Sequence, residues 1–146
     1  MTAVAQRGRI PDVVLQRFGG GDINPSALAG RELVVVFCPA DPAAAAREIE
    51  AYRALARDFQ DHGVWLLGVL ADGIEPPRPA PGEPCIALAR DPSGAGWSAF
   101  APWLGGVEAK CAPGAAFLFR HGGGLDRAWA GTGHAREVLE EARRRN

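Results

Sequence analysis

Two continuous apolar runs dominate the hydrophobic pattern of this chain. They are Leu33–Phe37 and Val64–Leu70, and both consist mainly of large aliphatic or aromatic residues. A run without polar alternation is typical of a parallel strand that is buried on both faces of a sheet. The pattern therefore predicts two central strands.

A helix is predicted between these two strands, over Ala43–Asp61. Asp41 can cap its first turn, Pro42 suits the first helical position, and Gly63 ends the segment. Apolar side chains recur at helical spacing and define an inner face, at Ile49, Tyr52, Ala56 and Phe59. Strand, helix and strand together form a βαβ unit, for which a right-handed crossover is expected.

Shorter patterns predict the remaining elements. Residues 72–84 contain five prolines and are expected to form a loop. The other predictions are a strand around Val13–Leu15, a helical turn at Pro25–Leu28, a weak strand at Cys85–Leu88, a helix from Asp91-Pro92 through Phe100, a strand at Ala115–Phe119, a turn at HGGG, a return strand at Leu125–Trp129, and a helix at Ala135–Arg145 with Val138, Leu139 and Ala142 facing inwards.

Composition and charge narrow the class of protein. A chain of 146 residues, 47% hydrophobic and 23% charged, fits one globular domain spanning 1–146. A net charge of −1 excludes nucleic acid or an anionic membrane as a partner attracted by bulk charge. The N-terminal residues lack the apolar segment of a secretory signal, which favours a cytoplasmic protein.

Cysteine and histidine usage indicates neither a disulfide framework nor a metal site. The three cysteines are Cys38, Cys85 and Cys111, and they contain no CxxC pair. The three histidines lack ligand spacing. We therefore expect no metal and no cofactor.

The segment LVVVFCPADPAAAA at 33–46 resembles the active-site segment of the peroxiredoxins, the AhpC/TSA branch of the thioredoxin fold. Further stretches resemble the same family in the same order: IPDVVL at 10–15, INPSALAGRELVVVF at 23–37, LARDPSGAGWSAF at 88–100 and AAFLFRHGG at 115–123. The P-x-D loop and the length resemble those of the small single-domain bacterioferritin-comigratory type. The resemblance implies an α/β protein with a thioredoxin-like fold, a central mixed sheet flanked by helices, and a peroxiredoxin-type N-terminal extension.

The resemblance fails at the reactive positions. The family pattern is P-x-x-x-T-x-x-C, and only Pro39 matches it, because Ala43 replaces the Thr and Ala46 replaces the peroxide-attacking Cys. The position of the family's Arg falls on Pro113. A peroxidase needs a thiolate nucleophile and groups that stabilise the departing oxygen. These losses predict a pseudoenzyme without peroxidase activity.

Pro113 has a second interpretation. APGAAFLF resembles the segment in which thioredoxins carry a cis-proline before a strand. An ordinary trans-proline at the start of a strand is equally compatible with the sequence.

Cys38 is the remaining candidate for thiol chemistry near the degenerate motif. It follows a buried strand, so it can equally be a small apolar core residue, and the charge of nearby Asp41 opposes a thiolate. Cys111 lies in a polar loop, where it could be modified or could cross-link two chains. Cys85 is expected in the core.

The tryptophans suggest an interaction surface. Trp65 and Trp129 lie in strand patterns and are expected in the core. Trp97, Phe100 and Trp103 could form an exposed patch for a homodimer or a protein partner, or could instead pack beneath the proline-rich loop.

Three functions are compatible with the sequence. The first is a peroxiredoxin-like binding or assembly module without peroxidase activity. The second is a thiol-dependent antioxidant oxidoreductase that uses Cys38 or Cys111. The third is a small-ligand binder whose pocket lies around Ala43 and Ala46. If an Ala46→Cys variant reduced peroxide efficiently, an arginine such as Arg120 or Arg127 within hydrogen-bonding reach of position 46 would explain that activity.

Overall fold

A seven-stranded mixed sheet organises the part of the chain that the computed structural model describes, residues 8–78, 86–104 and 114–144. The strands are β1 (Leu15–Arg17), β2 (Asp22–Ile23), β3 (Glu32–Phe37), β4 (Val64–Ala71), β5 (Ala87–Asp91), β6 (Ala115–Phe119) and β7 (Leu125–Ala130). The helices are α1 (Pro42–Ala54), α2 (Ala56–Asp61), α3 (Ala95–Phe100) and α4 (Ala135–Arg143), with 3₁₀ turns at Pro25–Leu28 and Ala101–Leu104.

The sheet order is β2-β1-β5-β4-β3-β6-β7. β3 pairs in parallel with β4, and β4 pairs in parallel with β5, whereas β6 is antiparallel to β3. The two apolar runs therefore form neighbouring parallel strands joined by helix, and the predicted βαβ unit is confirmed.

The position of β3 between two cores explains why Leu33–Phe37 is continuously apolar. Val34 and Val36 face a core that contains α1, α2 and α4, whereas Leu33, Val35 and Phe37 face a second core that contains α3. Both faces are buried, so successive residues all contact apolar neighbours.

The helix predicted over Ala43–Asp61 is divided in two. Leu55 leaves helical geometry, and its N–H donates to the carbonyl of Tyr52, three residues back, before the helix resumes at Ala56. The predicted inner face is confirmed, because Ile49, Tyr52, Ala56 and Phe59 are all buried.

The helix after β5 begins later than predicted. Asp91 ends β5, and Gly94 adopts a φ of +78°, from which an α-helix cannot continue, so α3 starts at Ala95. The carboxylate of Asp91 still accepts hydrogen bonds from the N–H groups of Gly96 (3.0 Å) and Trp97 (2.9 Å). The capping role was therefore predicted correctly and the helix boundary was wrong.

The starts of β1 and β5 also differ from the predicted ones. β1 begins at Leu15 rather than Val13, because its pairing with β5 joins Gln16 to Arg90 and Arg17 to Ala89. The weak strand predicted at Cys85–Leu88 starts at Ala87, and Cys85 lies outside the described residues.

The C-terminal elements agree with the prediction in type, and α4 ends at Arg143 rather than at Arg145. β6 has the predicted bounds, and the HGGG turn leads into β7. α4 buries Val138, Leu139 and Ala142, as its amphipathic pattern indicates. Within the described ranges, no helix is long and apolar enough to cross a membrane.

Candidate functional site

The degenerate motif lies at the start of α1, just beyond the carboxyl end of β3. Asp41 caps the helix, with its carboxylate accepting from the N–H of Ala44 at 2.9 Å, and Pro42 occupies the first turn. The sequence therefore builds the expected strand, loop and helix start.

Ala43 and Ala46 are three residues apart in α1, so they lie on the same side of the helix. Ala43 is exposed and Ala46 is half-buried, so a reactant could reach this turn. A methyl group is neither a nucleophile nor a hydrogen-bond donor. At these positions the turn can offer a peroxide only backbone groups and the positive end of the helix dipole.

β6 packs closely against the same segment from the other side. Gly114 has a φ of +81°, and a Cβ atom placed there would lie 3.0 Å from the carbonyl oxygen of Phe37 and 3.3 Å from Cδ of Pro39. This contact fixes Gly114 and Pro39 next to each other. Pro113 lies outside the described residues, so the prediction of a cis or trans peptide bond at this proline stays a prediction.

Neither of the two candidate arginines replaces the missing guanidinium. Arg120 contacts Glu32 at the amino end of β3 (3.3 Å) and Asp126 (2.9 Å), and donates to the carbonyls of Glu141 and Ala142. Arg127 pairs with the Glu141 carboxylate at 3.2 Å. Both guanidinium groups thus stabilise the packing of α4 on the sheet, whereas Ala46 follows the opposite, carboxyl end of β3.

Cys38 is buried in the larger core, with only 1% of its surface exposed. Its backbone N–H donates to the carbonyl of Val69 at 2.9 Å, which extends the pairing of β3 with β4 beyond Phe37. Apolar burial disfavours a thiolate. Cys111, the other candidate thiol, lies outside the described residues.

A buried polar cluster lies beneath α1 and beside Cys38. Glu48 is 6% exposed, and its carboxylate accepts a hydrogen bond from the N–H of Gly133 at 3.1 Å. Burial raises the pKa of Glu48, while the Gly133 hydrogen bond and the charge of His134 act in the opposite direction. Burial also raises the pKa of Tyr52, and the neighbouring Glu48 and Cys38 raise it further. The groups around the Cys38 thiol therefore favour neutral side chains.

His134 links this cluster to the surface. Protonated His134 donates from Nδ1 to the Glu137 carboxylate (2.7 Å) and from Nε2 to the carbonyl of Ala130 (2.9 Å). The hydrogen bond to Glu137 is the largest contribution that raises the pKa of His134, against the opposing effect of partial burial.

Sequence reasoning identified Tyr52 as an inward-facing residue but missed Glu48. A signal was available, because Glu48 precedes Tyr52 by four residues and so shares the inner face of α1. Its hydrogen-bond partner is 85 positions away in the chain and could not be read from local spacing.

An open cavity of about 780 Å³ lies at the carboxyl ends of the three parallel strands. α1 packs on one face of the sheet and α3 on the other, and crevices at such a switch in connection are common ligand sites in α/β proteins. We call it the carboxyl-edge cavity; the residues that line it include Phe37, Cys38, Val69, Leu70, Asp72, Asp91 and Trp97. Its described lining includes neither Ala43 nor Ala46, so the pocket lies on the β4 and β5 side of the motif rather than around those two alanines.

The aromatic patch predicted near this edge is packed inside. Trp97 is 3% exposed and Phe100 is fully buried, while Trp103 is half-buried and contacts the rings of Phe100, Phe117 and Phe119. These rings fill the core beside α3 because Phe37, Phe117 and Phe119 all point to that face. The hypothesis that Trp97 and Phe100 form an exposed surface is therefore wrong.

Of the two tryptophans that were predicted in strands of the core, one is buried and the other is exposed. Trp129 is buried, as predicted. Trp65 is 43% exposed, so its placement in the core was wrong. The guanidinium of Arg31 lies over its ring, 4.4 Å from the centroid.

Comparison with solved structures shows that these elements form a thioredoxin-like fold. Peroxiredoxin Q from Xanthomonas campestris is 25% identical with a TM-score of 0.69, and the match covers 97% of this chain and 94% of that chain. The bacterioferritin comigratory protein from the same organism is 22% identical with a TM-score of 0.70, covering 94% and 96%. The exposed lipoprotein thioredoxin of Streptococcus pneumoniae is 14% identical with a TM-score of 0.65, covering 92% and 99%, and shares the fold alone.

The sequence itself defines the family. Residues 7–80 match the AhpC/TSA family, and this match spans half of the chain. The chain therefore belongs to the AhpC/TSA family, as its motifs predict. No curated protein matches it.

Proposed function

We propose that this chain is an AhpC/TSA protein that has lost peroxidase activity and acts as a binding or assembly module. The observation that carries the proposal is the start of α1, where Ala43 and Ala46 occupy the positions of the family's Thr and nucleophilic Cys. Peroxide reduction by thiols requires a thiolate that can reach the substrate. A helix start without a thiol supplies none.

The surroundings of Cys38 support the same proposal. Its thiol is buried beside Tyr52 and Glu48, and Asp72 and Asp91 border the adjacent cavity. A thiolate there would lie among apolar and acidic groups, the opposite of the electropositive sites that activate cysteines. Arg120, which could have compensated, is held by Glu32 and Asp126.

The carboxyl-edge cavity supports the binding half of the proposal. Its volume of about 780 Å³ lies within the usual range for small-molecule sites. The cavity is bordered by two carboxylates, and a neutral or cationic ligand suits it better than an anion. We further propose that the protein acts in the cytoplasm.

A second candidate function is a thiol-dependent redox enzyme. The observation that favours it is the position of Cys38 in the wall of the same cavity, next to the degenerate motif. The bacterioferritin comigratory protein that shares the fold is described as having alkyl peroxide reduction activity. Local opening of the loop after β3 would be needed to expose the thiol.

A coupled peroxidase assay separates the two functions. Hydrogen peroxide and an alkyl hydroperoxide are offered with dithiothreitol or with a thioredoxin system, using the wild-type chain and matched Cys38→Ser and Cys111→Ser variants. We expect turnover no greater than that of the thiol blank in all three proteins. Turnover that disappears in Cys38→Ser or Cys111→Ser would assign the protein to the redox enzymes and overturn the proposal.

A further inference from the structure

The turn that follows β4 contains an aspartate directly before a glycine, at Asp72 and Gly73. The N–H of Ile74 donates to the carbonyl of Ala71 at 3.2 Å, so these two residues occupy the centre of a four-residue turn. Gly73 has a φ of +85°, and among the described residues no atom lies within 4 Å of a Cβ placed on it. A left-handed φ at the third position of such a turn favours glycine. The geometry that closes the turn therefore places a residue without a side chain directly after an aspartate.

Asp72 differs from the other aspartates at this end of the parallel strands. Asp41 and Asp91 accept hydrogen bonds from helix N–H groups, and each is followed by a proline, which has no N–H. Asp72 is exposed, and within the described ranges its carboxylate makes no hydrogen bond or ion pair. Its carboxyl group is therefore free to rotate beside the unhindered backbone nitrogen of Gly73.

We propose that Asp72 is a site of spontaneous isomerisation through a cyclic imide. The backbone nitrogen of Gly73 attacks Cγ of Asp72, the N–H proton and the carboxyl hydroxyl leave together as water, and a five-membered succinimide closes. Water then adds to one of the two imide carbonyls. Addition at one restores aspartate, and addition at the other leaves isoaspartate, in which the side-chain carbon has become part of the main chain. The water lost in the first step is regained in the second, so the reaction needs no oxidant, reductant or co-reactant.

The local structure makes the reaction selective for this turn. Ring closure requires the peptide group after Asp72 to rotate, so the hydrogen bond between Ile74 and Ala71 must open. Both central residues are exposed, and local opening of an exposed turn costs much less than global unfolding. By contrast, the N–H that follows Asp58 donates to the carbonyl of Leu55 at 3.0 Å and is held inside α2.

Isomerisation changes the link between β4 and the larger core. β4 ends at Ala71, and Ile74 is 6% exposed and packs in that core. Isoaspartate lengthens the main chain between them by one carbon atom, so either the turn hydrogen bond or the Ile74 side chain is displaced. We expect the isomerised protein, separated by chromatography, to unfold at a lower denaturant concentration than the unmodified protein. Equal midpoints would contradict this consequence.

Incubation of the folded wild-type protein in heavy-oxygen water tests the proposal. Hydrolysis of the imide introduces one heavy oxygen atom, which separates reaction in the folded protein from reaction during later digestion in ordinary water. Tandem mass spectrometry with electron-based fragmentation distinguishes isoaspartate from aspartate at position 72. Because the turn opens at little cost, we expect labelled isoaspartate to form at a rate within about tenfold of that in a free peptide of residues 70–75. A slower rate would overturn the proposal.

Asp72→Glu is the matched variant, and Asp12 is the control within the same chain. Asp72→Glu keeps the charge, but its imide requires a six-membered ring that closes more slowly, so we expect no labelled isomer at position 72. Asp12 is exposed and precedes the β-branched Val13, whose side chain hinders attack by the backbone nitrogen. Circular dichroism establishes that the protein stays folded during the incubation. Equal labelling at Asp12 and Asp72, or undiminished labelling at position 72 in Asp72→Glu, would also overturn the proposal.

Discussion

The residues at the start of α1 form the expected helix but lack the family's reactive side chains. Asp41 caps the helix, Pro42 begins it, and Pro39 lies in the loop after β3. Ala43 and Ala46 retain the helix, because alanine is the best helix former, but they remove every reactive side-chain atom. The turn is therefore helical and carries no side-chain nucleophile at positions 43 and 46.

Restoring only the nucleophile tests how much of the chemistry depends on one atom. In Ala46→Cys the helix dipole favours the thiolate by about 0.3–1 kcal/mol, so we expect a modestly lowered thiol pKa. Peroxidase activity should remain poor, because loss of one stabilising donor costs about a hundredfold or more in rate. The pH dependence of alkylation, with mass spectrometry to locate the modified cysteine, and a coupled assay measure the two quantities. A rate typical of an efficient peroxidase would mean that another group replaces the Thr and Arg.

His134 predicts a pH dependence of stability. Its pKa is raised in the folded state by Glu137, so its contribution is fully present below about pH 6.5 and is lost as pH rises through the folded value. Because Glu137 is exposed, the contribution should be less than about 1 kcal/mol.

Urea unfolding of wild type and His134→Gln at about pH 6 and about pH 9 measures this contribution. We expect His134→Gln to be less stable than wild type at the lower pH and equal to it at the higher. Glu137→Gln should behave like His134→Gln. Burial of Glu48 gives a trend in the same direction, and Glu137→Gln is the cleaner variant because it keeps the His134 charge that lowers the pKa of Glu48. A difference from wild type that is the same at the two pH values in both variants would contradict the assignment.

At the scale of elements, the close approach of β6 to the loop after β3 fixes the geometry of the degenerate site. Gly114 contacts Phe37 and Pro39, whereas Gly122 has a similar φ of +88° and no atom within 4 Å of a Cβ placed on it. The two glycines differ in their surroundings and not in their backbone conformation.

Alanine at these two positions measures that contact. Gly122→Ala should cost about 1–2 kcal/mol for the left-handed conformation alone. Gly114→Ala should cost about 1–3 kcal/mol more, because its Cβ would be forced against the Phe37 carbonyl. Chemical denaturation gives both free energies of unfolding, and equal costs would show that β6 has room to move away.

The predictability of each element depends on how local its causes are. β4, β6 and the Leu33–Phe37 part of β3 are continuously apolar, and this pattern predicts them from sequence. Trp65 is exposed although it lies within an apolar run, and the buried Glu48 depends on a distant partner, the backbone N–H of Gly133. The motif around Ala43 and Ala46 was therefore located from sequence, whereas the carboxyl-edge cavity required the sheet to be assembled.

At the scale of the whole molecule, the degenerate motif and the carboxyl-edge cavity both lie beyond the carboxyl ends of the parallel strands. Asp72 and Asp91 border that cavity, and Cys38 in its wall is buried. A family site without its nucleophile beside a separate cavity supports the proposal of a protein that binds rather than one that reduces peroxide.

The reaction of the reduced wild-type protein with hydrogen peroxide tests this account most directly. Competition kinetics against a reference thiol give the second-order rate constant for peroxide consumption. We predict a value no greater than that of an ordinary cysteine thiol and unchanged in Cys38→Ser, because position 46 carries no thiol and Cys38 is buried. A rate constant several orders of magnitude higher, abolished by replacing any one cysteine, would contradict it.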